Sequence, residues 1–330
     1  MKILVTGGAG YIGSHTCKRL ARAGFEPVVF DNLSTGFRDA ARFGPFEQGD
    51  ILDAARLDAV MSRHQPAAVV HFAASAYVGD SVREPAAYYR NNIVGSLSLL
   101  DAMRRNHVEK IVFSSTCATY GVPDRMPMDE TLPQNPINPY GFTKLAIEHA
   151  LADYGHAYGI AWIALRYFNA AGADPEGELG ERHDPETHAI PLCIQAALGT
   201  GPGFSVFGTD YPTPDGSAVR DYVHVDDLGD AHVRALRRLL DGEPGGAYNL
   251  GTGIGTSVLE LVAAVEKATG RKVPLTRGPR REGDPPALYA SPLKAAQDLG
   301  WHAQYRSIDD IVATAVAWTL RQHNAGPGNG

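Results

Sequence analysis

Lys2-Ile3-Leu4-Val5-Thr6-Gly7-Gly8-Ala9-Gly10-Tyr11-Ile12-Gly13 is a short apolar run followed by a glycine turn, and a helical pattern continues from it to about Gly24. Strand, turn and helix within the first thirty residues make a place for a pyrophosphate. The glycines let the backbone bend sharply and approach the anion closely, while the free N–H groups and the positive dipole end of the helix face it. A second apolar run, Glu26-Pro27-Val28-Val29-Phe30, stops at Asp31. That is the acidic position that accepts hydrogen bonds from adenosine ribose hydroxyls and would repel a 2′-phosphate. The expected ligand is a dinucleotide, NAD rather than NADP. The turn satisfies two spacings, G-x-G-x-x-G from Gly8 and G-x-x-G-x-x-G from Gly7. Alone it would be no more than a structural bend; the strands and helix around it make it specific.

A chain of 330 residues holds one large domain or two coupled ones. Cys17, Cys117 and Cys193 are odd in number, widely spaced and free of C-x-x-C pairing, so they read as packing residues kept reduced in a cytosolic protein. The net charge of −7 carries no basic stripe, which argues against nucleic acid and against an anionic membrane surface as partners. The N-terminus enters the first strand without a signal-peptide pattern, and no apolar run is long enough to cross a bilayer, so a cytoplasmic protein is expected. Twelve histidines include no H-E-x-x-H, and His183 and His188 lack a Cys or carboxylate set at metal spacing; no metal is expected.

Strand-like runs at Ala67–Ala73, Lys110–Ser115 and Ala161–Phe168 each follow a helical stretch, and such alternation means crossover units and a parallel sheet. The fold expected is α/β, a doubly wound parallel Rossmann sheet with a smaller C-terminal α/β substrate domain. Residues 1–168 would form the NAD-binding domain. Turn formers crowd residues 172–187 and 199–216, where loops would cover a ligand. Val219–Val225 and Ala247–Leu250 read as further strands around a helical stretch Asp226–Leu240, so the chain would return to the first domain at about 219–255. That leaves 169–218 and 256–330 to the second domain. The tail from Asn324 to Gly330 lacks apolar anchors and is expected to fray.

A helix is expected to begin at Asn138-Pro139, where Asn caps and Pro tolerates the first helical position. It carries Tyr140 and Lys144, four apart and so on one face. An ammonium beside a phenol stabilises the phenolate and draws its pKa toward neutrality, which suits a general base. Y-x-x-x-K is common by chance, but Ser114-Ser115-Thr116 ends a strand at the carboxyl edge of the sheet, where such folds bind ligands. Thr116 would share a substrate oxygen with Tyr140.

The glycine turn, Asp31-Asn32, Tyr140-Gly141-Phe142-Thr143-Lys144, Arg166-Tyr167-Phe168-Asn169 and Val219-Arg220-Asp221-Tyr222 together resemble the extended short-chain dehydrogenase/reductase family, in particular its nucleotide-sugar 4-epimerases. The resemblance runs nearly end to end. Phe207-Gly208-Thr209-Asp210-Tyr211-Pro212-Thr213 and Arg280-Arg281-Glu282-Gly283-Asp284 are its most specific motifs, because they belong to the half that holds the nucleotide sugar.

The resemblance implies interconversion of UDP-glucose and UDP-galactose by inversion at C4 through a 4-keto intermediate. Tyr140 is then the base, with Thr116 and Lys144 assisting and NAD regenerated in each turnover. It implies an NAD site lined by Gly7, Gly10, Tyr11, Ile12, Gly13, Asp31, Asn32, Asp50, Ile51, Phe72, Ala73, Ala74, Asn91, Lys144 and Phe168. Thr116, Tyr140, Asn169, His188, Phe207, Arg220, Arg281, Asp284 and Leu288 would meet the UDP-sugar, the arginines as forked donors to the diphosphate. A homodimer is implied as well, built on Tyr88–Met103 and Lys144–Tyr158, whose Ile93, Leu97, Leu100, Leu145, Ile147 and Leu151 lie on more than one face.

Three positions depart from the pattern. Ala76 stands where some relatives place a lysine on the cofactor phosphates. His188 replaces an asparagine at the diphosphate and also reads as a helix cap. Leu288, at the position that gates sugar size, lies between the bulky tyrosine that excludes N-acetyl sugars and the small residues that admit them. Other readings are a 4-epimerase of UDP-N-acetylglucosamine or of UDP-xylose/UDP-arabinose, a nucleotide-sugar 4,6-dehydratase and a non-catalytic NAD sensor. The dehydratase would need an Asp-Glu pair where Cys117-Ala118 stand, and sensors lose the Tyr or the Lys.

Overall fold

In the computed structural model, which describes residues 1–281 and 284–324, strands and helices alternate along the first half of the chain. They are β1 (Lys2–Thr6), α1 (Tyr11–Arg22), β2 (Glu26–Asp31), β3 (Phe46–Gln48), α2 (Ala54–His64), β4 (Ala68–His71), α3 (Val78–Arg83), α4 (Pro85–Tyr88), α5 (Gly95–Arg105), β5 (Lys110–Thr116), α6 (Pro139–Tyr158) and β6 (Ala161–Tyr167). Then come β7 (Asn169–Ala171), α7 (Ala189–Leu198), β8 (Phe204–Phe207), β9 (Val219–Arg220), β10 (Tyr222–His224), α8 (Val225–Leu240), β11 (Gly246–Leu250), β12 (Thr256–Ser257), α9 (Val258–Thr269), β13 (Leu275–Gly278), β14 (Ala287–Leu288), α10 (Leu293–Leu299) and α11 (Ile308–Asn324). The tail expected to fray lies, beyond Asn324, outside the described residues.

Seven strands form one parallel sheet in the order β11-β6-β5-β4-β1-β2-β3. The order reverses between β1 and β4, and a crevice opens at such a switch point beyond the carboxyl ends of the strands. Because both faces are covered, the strands are continuously apolar rather than alternating. Ile3, Val5, Val29, Val70, Val112 and Ile163 bury against Leu20 of α1 and Leu228 and Leu236 of α8. Leu4, Val28, Phe30, Val69, Ile111 and Phe113 bury against Leu57, Leu99, Met103, Ile147 and Leu151 on the other face. A separate core joins α7, α9 and α11 through Ile190, Ile194, Leu261, Val265, Ile311 and Val312. The run read as a single strand, Val219–Val225, is broken at Asp221 into β9 and β10, which sit in two small sheets.

The expected helix Tyr88–Met103 is also interrupted: α4 passes into a π-helical stretch, Tyr89–Val94, before α5 begins. Three of the residues expected to give this helix and Lys144–Tyr158 a second apolar face do not. Leu100, Ile147 and Leu151 are buried in the chain's own core, and the large apolar side chains that α5, α6 and the π-turn leave exposed are Tyr89, Val94, Phe142 and Tyr158.

Candidate active site

The glycine turn has the shape the anion reading requires. Gly7 has φ +74°, and a Cβ there would sit 2.6 Å from the Ala73 nitrogen; at Gly13 it would sit 2.1 Å from the Gly7 oxygen. Neither position accepts a side chain. Gly10 is the N-cap of α1 and makes no side-chain cap, so the donors of the first turn are left for a ligand. Asp31, buried at the end of β2, accepts from the Ala9 N–H at 3.0 Å and from the Leu33 N–H at 2.8 Å. Burial raises its pKa and these two bonds oppose the rise. Asn32 donates to Asp50 at 3.0 Å, while Ile51 packs on Gly95. Phe72, Ala73 and Ala74 continue β4 into the crevice, the Phe72 and Ala73 N–H groups both donating to the Thr6 carbonyl. The chain's own groups fit a dinucleotide here.

The π-turn explains a residue the sequence reading missed. Asn92, fully buried, accepts from the Ser75 N–H at 2.8 Å and donates to the Ser75 carbonyl and to Thr143 Oγ1, each at 3.0 Å. It ties the loop after β4 to α6, and its neighbour Asn91 reaches Ser75 Oγ at 3.3 Å. The signal was the doubled asparagine, but only the wider turn aims both at one loop.

Helix α6 starts as read: the Asn138 side chain accepts from the Gly141 N–H at 2.8 Å, with Pro139 in the first turn. Lys144 is buried, and its Nζ donates to the Ser114 carbonyl at 2.7 Å and stands 6.0 Å from the centre of the Tyr140 ring. Burial brings Lys144 down to about 7, with the Glu148 charge acting against it. Tyr140 is pushed above its ordinary value by burial and by Tyr167, and the Thr116 hydroxyl pulls the other way. The protein's own groups therefore do not draw this phenol toward neutrality, contrary to the expectation from the Tyr-Lys spacing: burial is the largest influence on each side chain, and neither is among the groups that shift the other.

Behind the helix lies a buried chain of polar contacts that spacing did not reveal. Ser115 donates to Glu148, Glu148 pairs with Arg166 in two-pronged fashion, Arg166 donates to the Tyr120 hydroxyl at 2.8 Å, and Tyr120 donates to Asn249 at 2.7 Å. It locks β5, α6, β6 and β11 together, and with them Thr116, Tyr140 and Lys144.

The residues assigned to the sugar nucleotide form a second group. Arg220 donates to Asp284 and, at 2.7 Å, to the Val219 carbonyl. Arg281 lies with its guanidinium carbon 4.3 Å from the centre of the half-exposed Phe207 ring. Leu288 pairs in register with Arg220 and packs, as Cys117 does, against the buried cluster of Tyr120, Met128, Leu132, Phe168 and Ala290. The two groups meet there: burial pushes the Cys117 thiol, next to Thr116, up to about 12, and the Arg220 charge opposes this. Asp221, fully buried, accepts from the N–H groups of Thr252, Gly253 and Ala290 and holds three loops around the group. Asn169 is exposed at the start of β7, and its N–H donates to the Asp221 carbonyl. The Glu282 and Gly283 of the same motif lie outside the described residues. A cavity of about 290 Å³ beside Gly10 and Tyr11 is walled by Phe37, Arg42, Arg182 and Trp318 and includes none of the Tyr140 group.

His188 is at the N-cap of α7 but makes no side-chain cap; its Nδ1 instead meets Glu181. Burial lowers its pKa, and Glu181 and Glu186 more than reverse this. The expectation that His183 and His188 lack carboxylate companions fails, since Glu181 and Glu186 converge on them. Ala76 lies in the loop between Ser75 and Tyr77 and brings no cation there.

Fold and site define a doubly wound α/β protein that binds a dinucleotide beside a tyrosine-lysine pair. The family model for the NAD dependent epimerase/dehydratase family matches residues 3–251, and the chain belongs to that family. It is 56% identical over 324 residues to the UDP-glucose 4-epimerase of Rhizobium meliloti (strain 1021), covering 98% of both chains. Among solved structures it is similar to the UDP-glucose 4-epimerase of Brucella ovis in complex with NAD, with a TM-score of 0.94, 57% identity and coverage of 96% and 97%. It is also similar to that of Stenotrophomonas maltophila with bound NAD and formylated UDP-arabinopyranose, with a TM-score of 0.95, 41% identity and coverage of 99% and 100%. No helix among the described residues is long and apolar enough to cross a membrane.

Proposed function

We propose that the chain interconverts UDP-glucose and UDP-galactose by inverting C4 of the sugar. The observation that carries this reading is the meeting of Tyr140, Thr116 and Lys144 at the carboxyl edge of the sheet in a chain 56% identical, almost end to end, to a UDP-glucose 4-epimerase. Tyr140 takes the proton of the 4-hydroxyl as C4 gives up its hydride, and returns that proton to the ketone oxygen when the hydride comes back to C4 on the opposite face, so the substrate leaves with its hydrogen count unchanged and C4 inverted. Thr116 hydrogen-bonds the same oxygen. NAD, when bound, supplies the reversible hydride acceptor and a cationic ring that favours the phenolate. Lys144 orients the cofactor ribose.

Arg220 and Arg281 hold the diphosphate, with Asp284 fixing the Arg220 fork. Phe207 and Asn169 flank the nucleotide and the sugar, and His188 donates to the diphosphate side of the pocket. Residues 169–218 and 256–330 make up the substrate-binding domain, around the first domain's cofactor crevice. Two copies pair through the faces bearing Tyr89, Val94 and Phe142, and three free thiols fit a reducing cytoplasm.

The test is incubation with UDP-glucose, UDP-N-acetylglucosamine and UDP-xylose separately, with identification of the product sugars. UDP-galactose must form from UDP-glucose without build-up of NADH. NADH accumulating in proportion to product overturns the reading, and product only from the N-acetyl sugar or the pentose moves the substrate assignment.

A further inference from the structure

The loop between β7 and α7 brings together four side chains, of which only His188 has a part in the reading above, and there through the ring nitrogen that faces away from the cluster. One atom from each of Glu181, His183, Glu186 and His188 lies within 4.8 Å of all the others. We propose that these four residues bind a divalent transition cation of the zinc class, a site separate from the reacting atoms at Tyr140.

The first argument is distance. His183 Nδ1 lies 3.5 Å from Glu181 Oε1 and 3.4 Å from Glu186 Oε2, and it is buried with no hydrogen-bond partner among the described residues. Zinc bonds to nitrogen and oxygen are about 2.0–2.2 Å, which sets ligand-to-ligand edges of a tetrahedron at roughly 3.3–3.6 Å. These two separations are those of ligands around a common centre. His188 Nδ1 meets Glu181 directly, and the proton they share would leave to solvent as a cation took the imidazole lone pair.

The second argument is charge. The Glu181 and Glu186 side chains are only 6% and 9% exposed, and that of His183 is 13% exposed. Among the described residues no Lys or Arg pairs with either glutamate; Arg182, between them in the chain, turns to Asp39. Two carboxylates withdrawn from water need a positive partner, and among the described residues only the imidazoles of His183 and His188 stand beside them. The comparison within the molecule is Asp174, Glu176 and Glu178, a similar acidic group that Lys18 already fills at 2.7, 3.0 and 2.5 Å.

The third is support around the ligands. Glu186 Oε1 accepts from the Thr187 and His188 N–H groups at 2.8 and 2.9 Å, which turns Oε2 toward His183. Tyr11 and Tyr77 stand edge-on to His183, and Tyr11 is itself held by its hydroxyl bond to the Gly172 carbonyl at 2.6 Å. Two imidazoles with two carboxylates suit zinc, cobalt or nickel better than calcium or magnesium, which prefer all-oxygen sets.

The test is metal analysis of the full chain as purified, followed by removal of metal with a chelator and titration with zinc and with cobalt. About one equivalent per chain is expected, with the intense visible bands of four-coordinate cobalt. His183→Ala and Glu186→Gln should each weaken binding by at least the 10–100-fold that loss of a mere outer-shell partner costs. Asp174→Asn should leave it unchanged. The titration of the unmutated chain stands whether or not a variant folds, and it needs no turnover, so its failure is distinct from failure of the epimerase reading. No zinc or cobalt binding at micromolar concentrations, or binding that survives both substitutions, overturns the proposal.

Discussion

Lys144→Met should stabilise the cofactor-free protein while abolishing most of its turnover, and the size of the first effect follows from the burial of the ammonium. Lys144 has an ordinary value of 10.5 and about 7 in the folded chain. At pH 7 the unfolded chain holds this proton firmly and the folded chain only half the time. Folding therefore loses on the order of 4 kcal/mol to this group. Methionine removes that loss, but it also leaves the Ser114 carbonyl without the donor it has at 2.7 Å, a cost of about 1–3 kcal/mol. The variant should be about 1–3 kcal/mol more stable at pH 7.

The sign with pH follows from the same linkage. A lysine depressed in the folded state costs stability below its folded value, and the cost fades as pH rises toward the unfolded value. By pH 9.5 the loss in the unmutated protein is down by roughly 3 kcal/mol, and the advantage of the variant should vanish or reverse. Urea unfolding of protein refolded without dinucleotide, followed by the fluorescence of Trp162, Trp301 and Trp318, measures this at both pH values. A variant less stable at pH 7, by an amount unchanged at pH 9.5, would refute the account of Lys144 as a desolvated cation.

Tyr140→Phe should cost on the order of 10²–10⁴-fold in rate with UDP-sugar binding nearly kept, and Thr116→Val should be milder; calorimetric binding beside turnover separates the two effects. Gly13→Ala should abolish retention of NAD, read by absorbance of the purified protein, because its Cβ would sit 2.1 Å from the Gly7 oxygen. Glu148→Gln should lower stability by about 3–5 kcal/mol in denaturant titration, since it strands the buried Arg166 guanidinium. Leu288→Tyr should reduce activity on N-acetylated sugars and spare UDP-glucose, while Leu288→Cys should raise it, each by roughly 1–3 kcal/mol in kcat/KM; equal effects on both substrates would make Leu288 a packing residue.

What the sequence determined by itself was local. The turn at residues 7–13, the acid that ends β2 and the Asn138-Pro139 start of α6 act through backbone geometry within a few residues, so their meaning survives without knowledge of the rest of the chain. Tyr140 and Lys144 were legible for the same reason, as neighbours on one turn. Tertiary structure decided everything that depends on which distant side chains lose water together. It alone placed Leu100, Ile147 and Leu151 in the core rather than on an outer face, and widened the helix at Tyr89–Val94 so that Asn92 meets Ser75 and Thr143. It joined Glu148 to Arg166 and brought Glu181 and Glu186 onto His183 and His188. It also set the state of the catalytic pair. Spacing sets how close Tyr140 and Lys144 stand, but the charge each carries depends on desolvation by residues from β5, β6 and α6, and that is a property of packing, which no local pattern encodes.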